Sequence, residues 1–162
     1  MSFNRRSGVV TVLMVVFVLP GSRPSSGQGS PQNALGQAKS LACVFTVVTS
    51  GTWKNGEPVA EIKPAKLALG FDTIEPQEGS ARYTGGDVNL AASDIIAQLS
   101  GGSLHLMQTS RSGALYITTV FPSESRGGKL KAAHARHEYT AVSLPGYTSR
   151  PEQYYGECEV AP

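Results

Sequence analysis

The sequence has little charge, few aromatic residues and few of the side chains that bind metals. Only 16% of its 162 residues are charged and 7% are aromatic, and it contains one tryptophan, two cysteines and three histidines. A zinc or copper site needs at least three converging ligands. We therefore expect neither a metal site nor a cofactor. The length suits one domain rather than two.

Familiar catalytic motifs are also absent. The sequence contains no G-x-S-x-G, no G-x-x-x-x-G-K and no H-E-x-x-H. These are the signatures of a serine nucleophile elbow, a phosphate-binding loop and a zinc peptidase. An enzyme stays open as a hypothesis because catalytic triads assemble from distant positions, but no catalytic residue can be named.

Glycine and proline are plentiful, with 18 and 10 copies. Both residues break helices, so this composition disfavours a helical bundle and favours a fold with many turns. The two residues fall short of the share that marks a disordered chain. Hydrophobic residues make up 40% of the sequence, enough for a single core.

The first 27 residues are predicted to be a secretory signal peptide. Arg5 and Arg6 precede the uncharged run Val9–Leu19, VVTVLMVVFVL. This run is shorter than the roughly 20 apolar residues that span a bilayer. A basic segment followed by such a run is typical of an export signal. Cleavage after Ser25-Ser26-Gly27 would leave Gln28 first in an extracytoplasmic chain, and no later segment is long and apolar enough to span a membrane.

The exported chain is predicted to begin with a flexible linker over residues 28–40, QGSPQNALGQAKS, which contains almost no large apolar group.

Removal of the signal peptide, the leader of the chain, also changes the net charge. Of the 14 basic residues three leave with the leader (Arg5, Arg6 and Arg23), so 11 remain against 12 acidic residues. A nearly neutral chain gives no reason to expect a nucleic-acid partner.

Cys43 and Cys158 lie near opposite ends of the exported chain. In an exported protein a lone pair of cysteines is predicted to form a disulfide. The bond would close a loop of roughly 115 residues, to which the chain-entropy model assigns about 4–5 kcal/mol of stability.

From residue 41 onward, apolar side chains recur with a period of two, which predicts β-strands rather than helices. One strand is predicted to place Cys43, Phe45 and Val47 on a common face. A second strand is predicted to share a face among Leu67, Leu69, Phe71 and Thr73. Further strands are predicted near Ser80–Thr84, Asp94–Leu99, Ser103–Thr109, Ala114–Phe121, Lys129–Tyr139 and Gln153–Val160.

Short connections rich in turn-forming residues join these strands, among them Asn55-Gly56, Ser100-Gly101-Gly102 and Gly127-Gly128. We therefore predict a single all-β domain over residues 41–162, an antiparallel up-and-down meander of about eight strands. No helix is expected to exceed two turns. A disulfide between the first and last strands would join the two exposed edges of the meander, which favours a small lipocalin-like barrel. A β-sandwich is the alternative.

The strand KLKAAHARHEY, residues 129–139, is the most informative segment for function. Its two lysines prefer water, so the alternate positions, which include His134 and Arg136, are predicted to face the interior. His134 and His137 are three residues apart and therefore point to opposite faces, which argues against a metal clamp. In the last strand the glutamates 157 and 159 prefer water, which places Tyr154 and Cys158 inward.

Arg136, His134 and Tyr154 are the candidate ligand-binding residues. The Arg136 guanidinium would bind the carboxylate or phosphate of a small anionic or lipid-like ligand, and His134 would donate a hydrogen bond. The apolar part of the ligand would contact three interior residues: Phe45, Leu69 and Ile117. In the alternative interpretation both polar side chains are structural and bond to backbone carbonyls, Tyr154 or Gln153.

Three short segments, Thr118-Thr119-Val120-Phe121, His134-Ala135-Arg136-His137 and Gln153-Tyr154-Tyr155-Gly156-Glu157-Cys158, together resemble a pattern in small exported bacterial proteins of uncharacterised function. The resemblance covers roughly residues 41–160. It implies a bacterial, extracytoplasmic protein and carries no activity or ligand.

Three classes of function follow from these observations. The first is a binding module for a small, partly apolar anion, and the second is a structural or interaction protein of the bacterial envelope whose barrel is filled by side chains. The third is an enzyme with no visible motif. An eight-stranded barrel is just wide enough for filling side chains or for one small ligand. The volume of the interior therefore separates the first two classes.

Overall fold

The structure is a computed structural model and describes residues 31–86, 91–110, 113–138 and 151–161. It contains one helix, α1 (Pro31–Gln37), followed by eight strands. The strands are β1 (Leu41–Lys54), β2 (Glu57–Glu75), β3 (Ser80–Gly85), β4 (Ser93–Ser100), β5 (Ser103–Thr109), β6 (Leu115–Glu124), β7 (Leu130–His137) and β8 (Glu152–Val160). The predicted signal peptide, residues 28–30 of the predicted linker, and Tyr139 lie outside the described residues.

Each strand pairs antiparallel with the next along the chain, and β8 pairs back onto β1, so the sheet closes into a barrel. This confirms the predicted all-β meander of eight antiparallel strands and excludes the β-sandwich. The tight turns also form where they were expected. Asn55 and Gly56 have φ angles of 54° and 84°, the left-handed conformation that a two-residue hairpin turn requires.

Cys43 and Cys158 form the predicted disulfide. The two residues lie directly opposite each other in the β1–β8 ladder. The covalent bond therefore reinforces the one pairing that joins the first strand to the last and closes the barrel.

The interior is apolar at the end of the barrel where β1 begins. Leu41, Leu104 and Val120 are fully buried there. Helix α1 packs across this end against β5 and β6, and its Leu35 is also fully buried. We call this the capped end and the opposite end the open end. Among the described residues, no helix has the length and apolar character to cross a membrane.

The predicted flexible linker is wrong for residues 31–40. Leu35 and Ala38 lie three positions apart on one side of α1 and its C-terminal extension, and both are buried in the core. A helix this short is unstable on its own, and packing of its apolar side supplies the stability. Leu35 and two alanines in a ten-residue stretch are too weak a pattern to reveal this contact from sequence.

Strands β1 and β2 extend beyond the barrel as a two-stranded arm, which we define as residues 47–64 and whose base, residues 47–50, still pairs with β8. The two strands pair as far as Lys54 and Glu57, whereas the ladder between β1 and β8 ends at Ser50. Within the described residues, β2 pairs with β3 only from Gly70 onward. The arm therefore projects from the open end.

Two register shifts correct the predicted strand faces. In β1 the register shifts between Phe45 and Val47, so Phe45 is buried inside the barrel while Val47 points outward and is exposed. In β2 a shift between Asp72 and Glu75 leaves Thr73 exposed and buries Ile74 in its place. Each bulge inserts one residue and inverts the alternation beyond it, which strict period-two reasoning cannot foresee.

Candidate functional site

Side chains fill the barrel. The space enclosed among the described interior residues is about 10 Å³. That is the room a single water molecule needs. The lining residues are Leu69, Phe71, Tyr83, Ile95, Leu106, Gln108, Tyr116, Thr118 and His134. The described part of the interior is thus a packed core and not a hollow ligand chamber.

His134 lies in the middle of this core and is 2% exposed. Its Nδ1 is hydrogen-bonded to Thr118 Oγ1 at 2.9 Å. Three aromatic rings surround the imidazole, those of Phe45, Tyr116 and Tyr154, with ring centroids 5.9, 6.3 and 5.8 Å away. The prediction that His134 faces inward is confirmed, and its position is fixed by ring packing and by a buried hydrogen bond.

Toward the open end, four side chains form a partly buried polar cluster, which consists of Arg136, Glu138, Glu152 and Tyr154. Arg136 Nη2 donates a hydrogen bond to Glu138 Oε2 at 3.2 Å, and Arg136 Nη1 lies 3.6 Å from Glu152 Oε2. The Tyr154 hydroxyl donates to Glu152 Oε2 at 2.6 Å. The side chains of the three charged residues are only 11%, 6% and 14% exposed.

The alternation of two adjacent strands creates this arrangement. On β7, every second residue faces inward, and this parity carries His134 and Arg136 to the interior. On β8, Tyr154 pairs with His134 and Glu152 pairs with Arg136. The guanidinium also lies over the Tyr116 ring, 5.8 Å from its centroid. The structure therefore brings Arg136, His134 and Tyr154 together inside the barrel, and their role in binding a ligand stays a prediction.

Burial and the neighbouring Glu152 carboxylate raise the pKa of Tyr154 to about 12. Burial disfavours the phenolate, and the hydrogen bond and negative charge of Glu152 hold the proton on the ring. The positive charge of Arg136 acts in the opposite direction but is the weaker influence. Tyr154 is consequently a neutral hydrogen-bond donor throughout the physiological range of pH.

The polar cluster contains one positive and two negative side chains. The fork of Arg136 that was expected to bind a ligand anion is engaged by two carboxylates of the chain itself. An incoming anion would have to displace one of them while facing the other. In this cluster Arg136 neutralises the two carboxylates that flank it. This arrangement fits the alternative interpretation, in which Arg136 is a structural residue.

Sequence reasoning did not find the two carboxylates of the cluster. The signal was present, because Glu138 follows β7 directly with the same parity as Arg136, and Glu152 has the same parity as Tyr154 on β8. One predicted contact is wrong. Ile117 lies between the inward-facing Tyr116 and Thr118 and therefore points to the outer surface, whereas Phe45 and Leu69 are buried inside as expected.

The three histidines do not converge. His105 is bonded on the outer side of the barrel to Thr119, with 3.1 Å between Nδ1 and Oγ1, while His137 is exposed at the end of β7. Over the described ranges, no group of three or more His, Cys, Asp or Glu side chains is placed to hold a metal ion.

A second feature lies on the outside of the molecule. Cross-strand pairing puts the outward residues of the arm and of the adjacent barrel wall on one continuous surface, which we call the apolar face. It consists of Val47, Thr49, Gly51, Trp53, Pro58, Ala60, Ile62, Pro64, Ala133, Ala135, Gln153 and Tyr155. None of these residues is charged. Trp53 is 58% exposed and Ile62 is 76% exposed.

The charges of the arm lie on its other side. Lys54 pairs with Glu57, Glu61 pairs with Ser50, and Lys63 forms an ion pair with Glu61. Separation of charged and apolar residues onto opposite sides of an exposed ribbon is typical of a surface that another molecule covers.

No family model, curated protein or solved structure matches the chain. The resemblance to small exported bacterial proteins stays a prediction.

Proposed function

We propose that the protein is an exported interaction protein, whose filled barrel is a rigid support and whose outer surface carries the function. The observation that carries this proposal is the volume of about 10 Å³ left in the pocket between the described side chains of the barrel interior. Pockets for small molecules are typically about 300–1,000 Å³. A lipid-like ligand inside this core would need several large side chains to move out.

The exposed apolar face supports the same proposal. Isolated apolar residues are normal on protein surfaces, whereas contiguous apolar patches mark sites of interaction. Here two of the largest exposed side chains, Trp53 and Ile62, belong to the arm, whose tip beyond Ser50 does not pair with β8. The chain maintains this arm at the cost of an exposed hydrophobic surface, which a purely structural barrel does not need.

Export is the second part of the proposal. It is supported by the basic and apolar N-terminal sequence together with the Cys43–Cys158 bond, because structural disulfides persist in oxidising compartments. In the bacterial envelope, the disulfide and the absence of a free thiol among the described residues suit a long-lived surface or periplasmic protein.

The binding of a small anion at the open end is the second candidate function. It is favoured by the proximity of Arg136, His134 and Tyr154, and opposed by the carboxylates that engage Arg136. Thermal melts of the wild type with fatty acids and other small anions distinguish the two candidates. A saturable rise in melting temperature that Arg136→Ala abolishes in a still folded protein would favour ligand binding over our proposal.

Photo-crosslinking in the producing cells tests the interaction function directly. A benzophenone amino acid placed at Trp53 should give a discrete adduct, because this position lies on the apolar face. The same amino acid at the exposed Ile96, on the outer side of β4 and away from the apolar face, is the control and should give none. Equal, diffuse labelling from both positions, or no adduct from either, would refute the proposal.

A further inference from the structure

We propose that the apolar face binds the same face of a second copy of this chain, forming a twofold symmetric dimer through the arms. This inference rests on the proposed interaction function and names its partner. Three features of the arm support it: its charge, its shape and its protected edge.

The charge of the face selects an uncharged partner. All of its residues are neutral, whereas Lys54, Glu57, Glu61 and Lys63 lie on the opposite side of the arm. A polyanionic or acidic partner is recognised by lysines and arginines, and this face has none. Two copies of a neutral face meet without like-charge repulsion.

The shape of the face is self-complementary. The Gly51–Ala60 pair lies two positions along the ladder from the Trp53–Pro58 pair, and with Thr52 and Val59 it lines a groove of about 270 Å³ beside the indole. Pro151 closes one side of this groove. In a twofold interface, each residue meets the same surface on its partner. A projecting ring next to a groove can therefore place each Trp53 in the groove of the other copy.

The edge of the arm disfavours the main alternative, which is an added peptide strand. Over the described residues, β2 from Glu57 to Pro64 pairs with β1 on one edge and with no described strand on the other. Pro58 and Pro64 lie on this edge strand, and proline cannot donate a hydrogen bond to a new strand. Prolines of this kind block edge-to-edge pairing. These prolines do not oppose association through the apolar face, because that contact uses side chains and not the backbone groups of the edge.

The size of the face sets the expected affinity. Four strands spaced about 4.8 Å apart and eight residues rising about 3.4 Å each give a surface of at most about 19 by 27 Å per copy. Because β7 and β8 contribute only two residues each to the face, two copies bury less than about 1,000 Å² in total, in the range of weak, transient interfaces. We therefore expect a reversible dimer with a dissociation constant on the order of 10–100 μM.

Sedimentation equilibrium of the protein, purified as its cells produce it, tests the dimer. Ile62→Glu places a charge in the centre of the face and should weaken association at least tenfold. Ile96→Glu is the matched control, because Ile96 is also an exposed isoleucine but lies on the outer surface of β4, which does not contribute to the apolar face. It should change the dissociation constant less than threefold. Circular dichroism should show that both variants keep the wild-type fold.

The outcomes are separable. A protein that is monomeric at 1 mM, or a dimer that Ile62→Glu leaves intact, overturns the proposal. A monomer that binds phosphatidylcholine vesicles through Ile62 assigns the face to a lipid surface instead. If the crosslink from position 53 captures a different protein and the chain stays monomeric, the interaction function holds and the dimer is refuted. Absence of any adduct refutes both the interaction function and the dimer.

Discussion

Arg136 and Glu152 lie directly opposite each other in the β7–β8 ladder, and their side chains meet inside the open end of the barrel with 3.6 Å between Nη1 and Oε2. The same guanidinium bonds Glu138. Removal of a buried or nearly buried partner leaves charges without compensation, which costs more than the pair itself contributes. The first prediction follows from this asymmetry.

Arg136→Met should lower the free energy of unfolding by about 3–5 kcal/mol, because two adjacent carboxylates lose their counter-ion. Combining it with Glu138→Gln and Glu152→Gln should recover most of this loss. Arg82→Met is the control, since Arg82 and its partner Asp94 are largely exposed. Its cost should stay below about 1 kcal/mol. Urea titrations measure all three variants. A triple variant no more stable than Arg136→Met would show that the carboxylates are not the cause.

Thr118→Val should lower the free energy of unfolding by about 1–3 kcal/mol, because it removes the buried hydrogen-bond partner of His134 Nδ1. The neighbouring Thr119→Val makes the same chemical change at a half-buried position, where water can replace the bond to His105. We expect a loss of less than about 0.5 kcal/mol there. Equal losses from the two variants would contradict a special role for the buried bond.

Gly156→Ala should destabilise the protein by more than about 2 kcal/mol, through overpacking between β8 and β1. A Cβ atom at Gly156 would collide with the carbonyl oxygen of Val44 and the Cα of Phe45. Gly127→Ala is the control, because its Cβ would meet only Ser125 Oγ at 3.6 Å, an ordinary contact. Melting temperatures of the two variants compare these costs directly, and similar values would disprove the predicted close approach.

The raised pKa of Tyr154 predicts how stability depends on pH. The folded state keeps the phenolic proton up to a pH of about 12, whereas the unfolded chain releases it near a pH of about 10. Between these values the unfolded state binds fewer protons, so stability is intact below about pH 10 and falls as the pH rises toward 12. Tyr154→Phe should flatten this fall in urea titrations at several pH values. An unchanged slope would exclude Tyr154 as its source.

Reduction of the Cys43–Cys158 bond should lower the free energy of unfolding by about 4–5 kcal/mol, the value expected for a closed loop of this length. The separation of 115 residues makes the cross-link effective. Mass spectrometry after alkylation without reductant should find no modified thiol in the native protein. Two modified cysteines, or equal stability with and without reductant, would contradict this prediction.

The fold could be predicted because its two strongest signals are local. Strict alternation and glycine-marked turns located all eight strands, and the lysines and glutamates of β7 and β8 fixed which side of each strand faces water. For β6 no charged residue fixes the parity in this way, which is why Ile117 was assigned to the wrong side.

The features that could not be predicted depend on long-range contacts or on single inserted residues. The burial of Leu35 exists only because the barrel leaves an apolar opening for α1. The arm carries Pro58 and Pro64, and prolines argue against a strand when only the sequence is known. They fit here because β2 is an edge strand in the arm, where a missing N–H breaks no hydrogen bond to a neighbouring strand. The outward turn of Val47 results from a bulge. Alternation alone could have identified both carboxylates around Arg136, because Glu138 lies within the predicted strand Lys129–Tyr139 and Glu152 directly precedes the predicted strand Gln153–Val160.

The position of the disulfide also determines how the molecule responds to mechanical force. Leu41 pairs with Val160 and Ala42 with Glu159, and the third pair is Cys43 with Cys158. Because these strands are antiparallel, tension applied at residues 41 and 160 would open the ladder one pair at a time, like a zipper. After two pairs the load would reach a covalent bond, and the remaining strands would be shielded from it. Under tension the oxidised protein should therefore extend very little between residues 41 and 160. The reduced protein should lose its strand pairs one after another and extend along the whole length of the barrel domain.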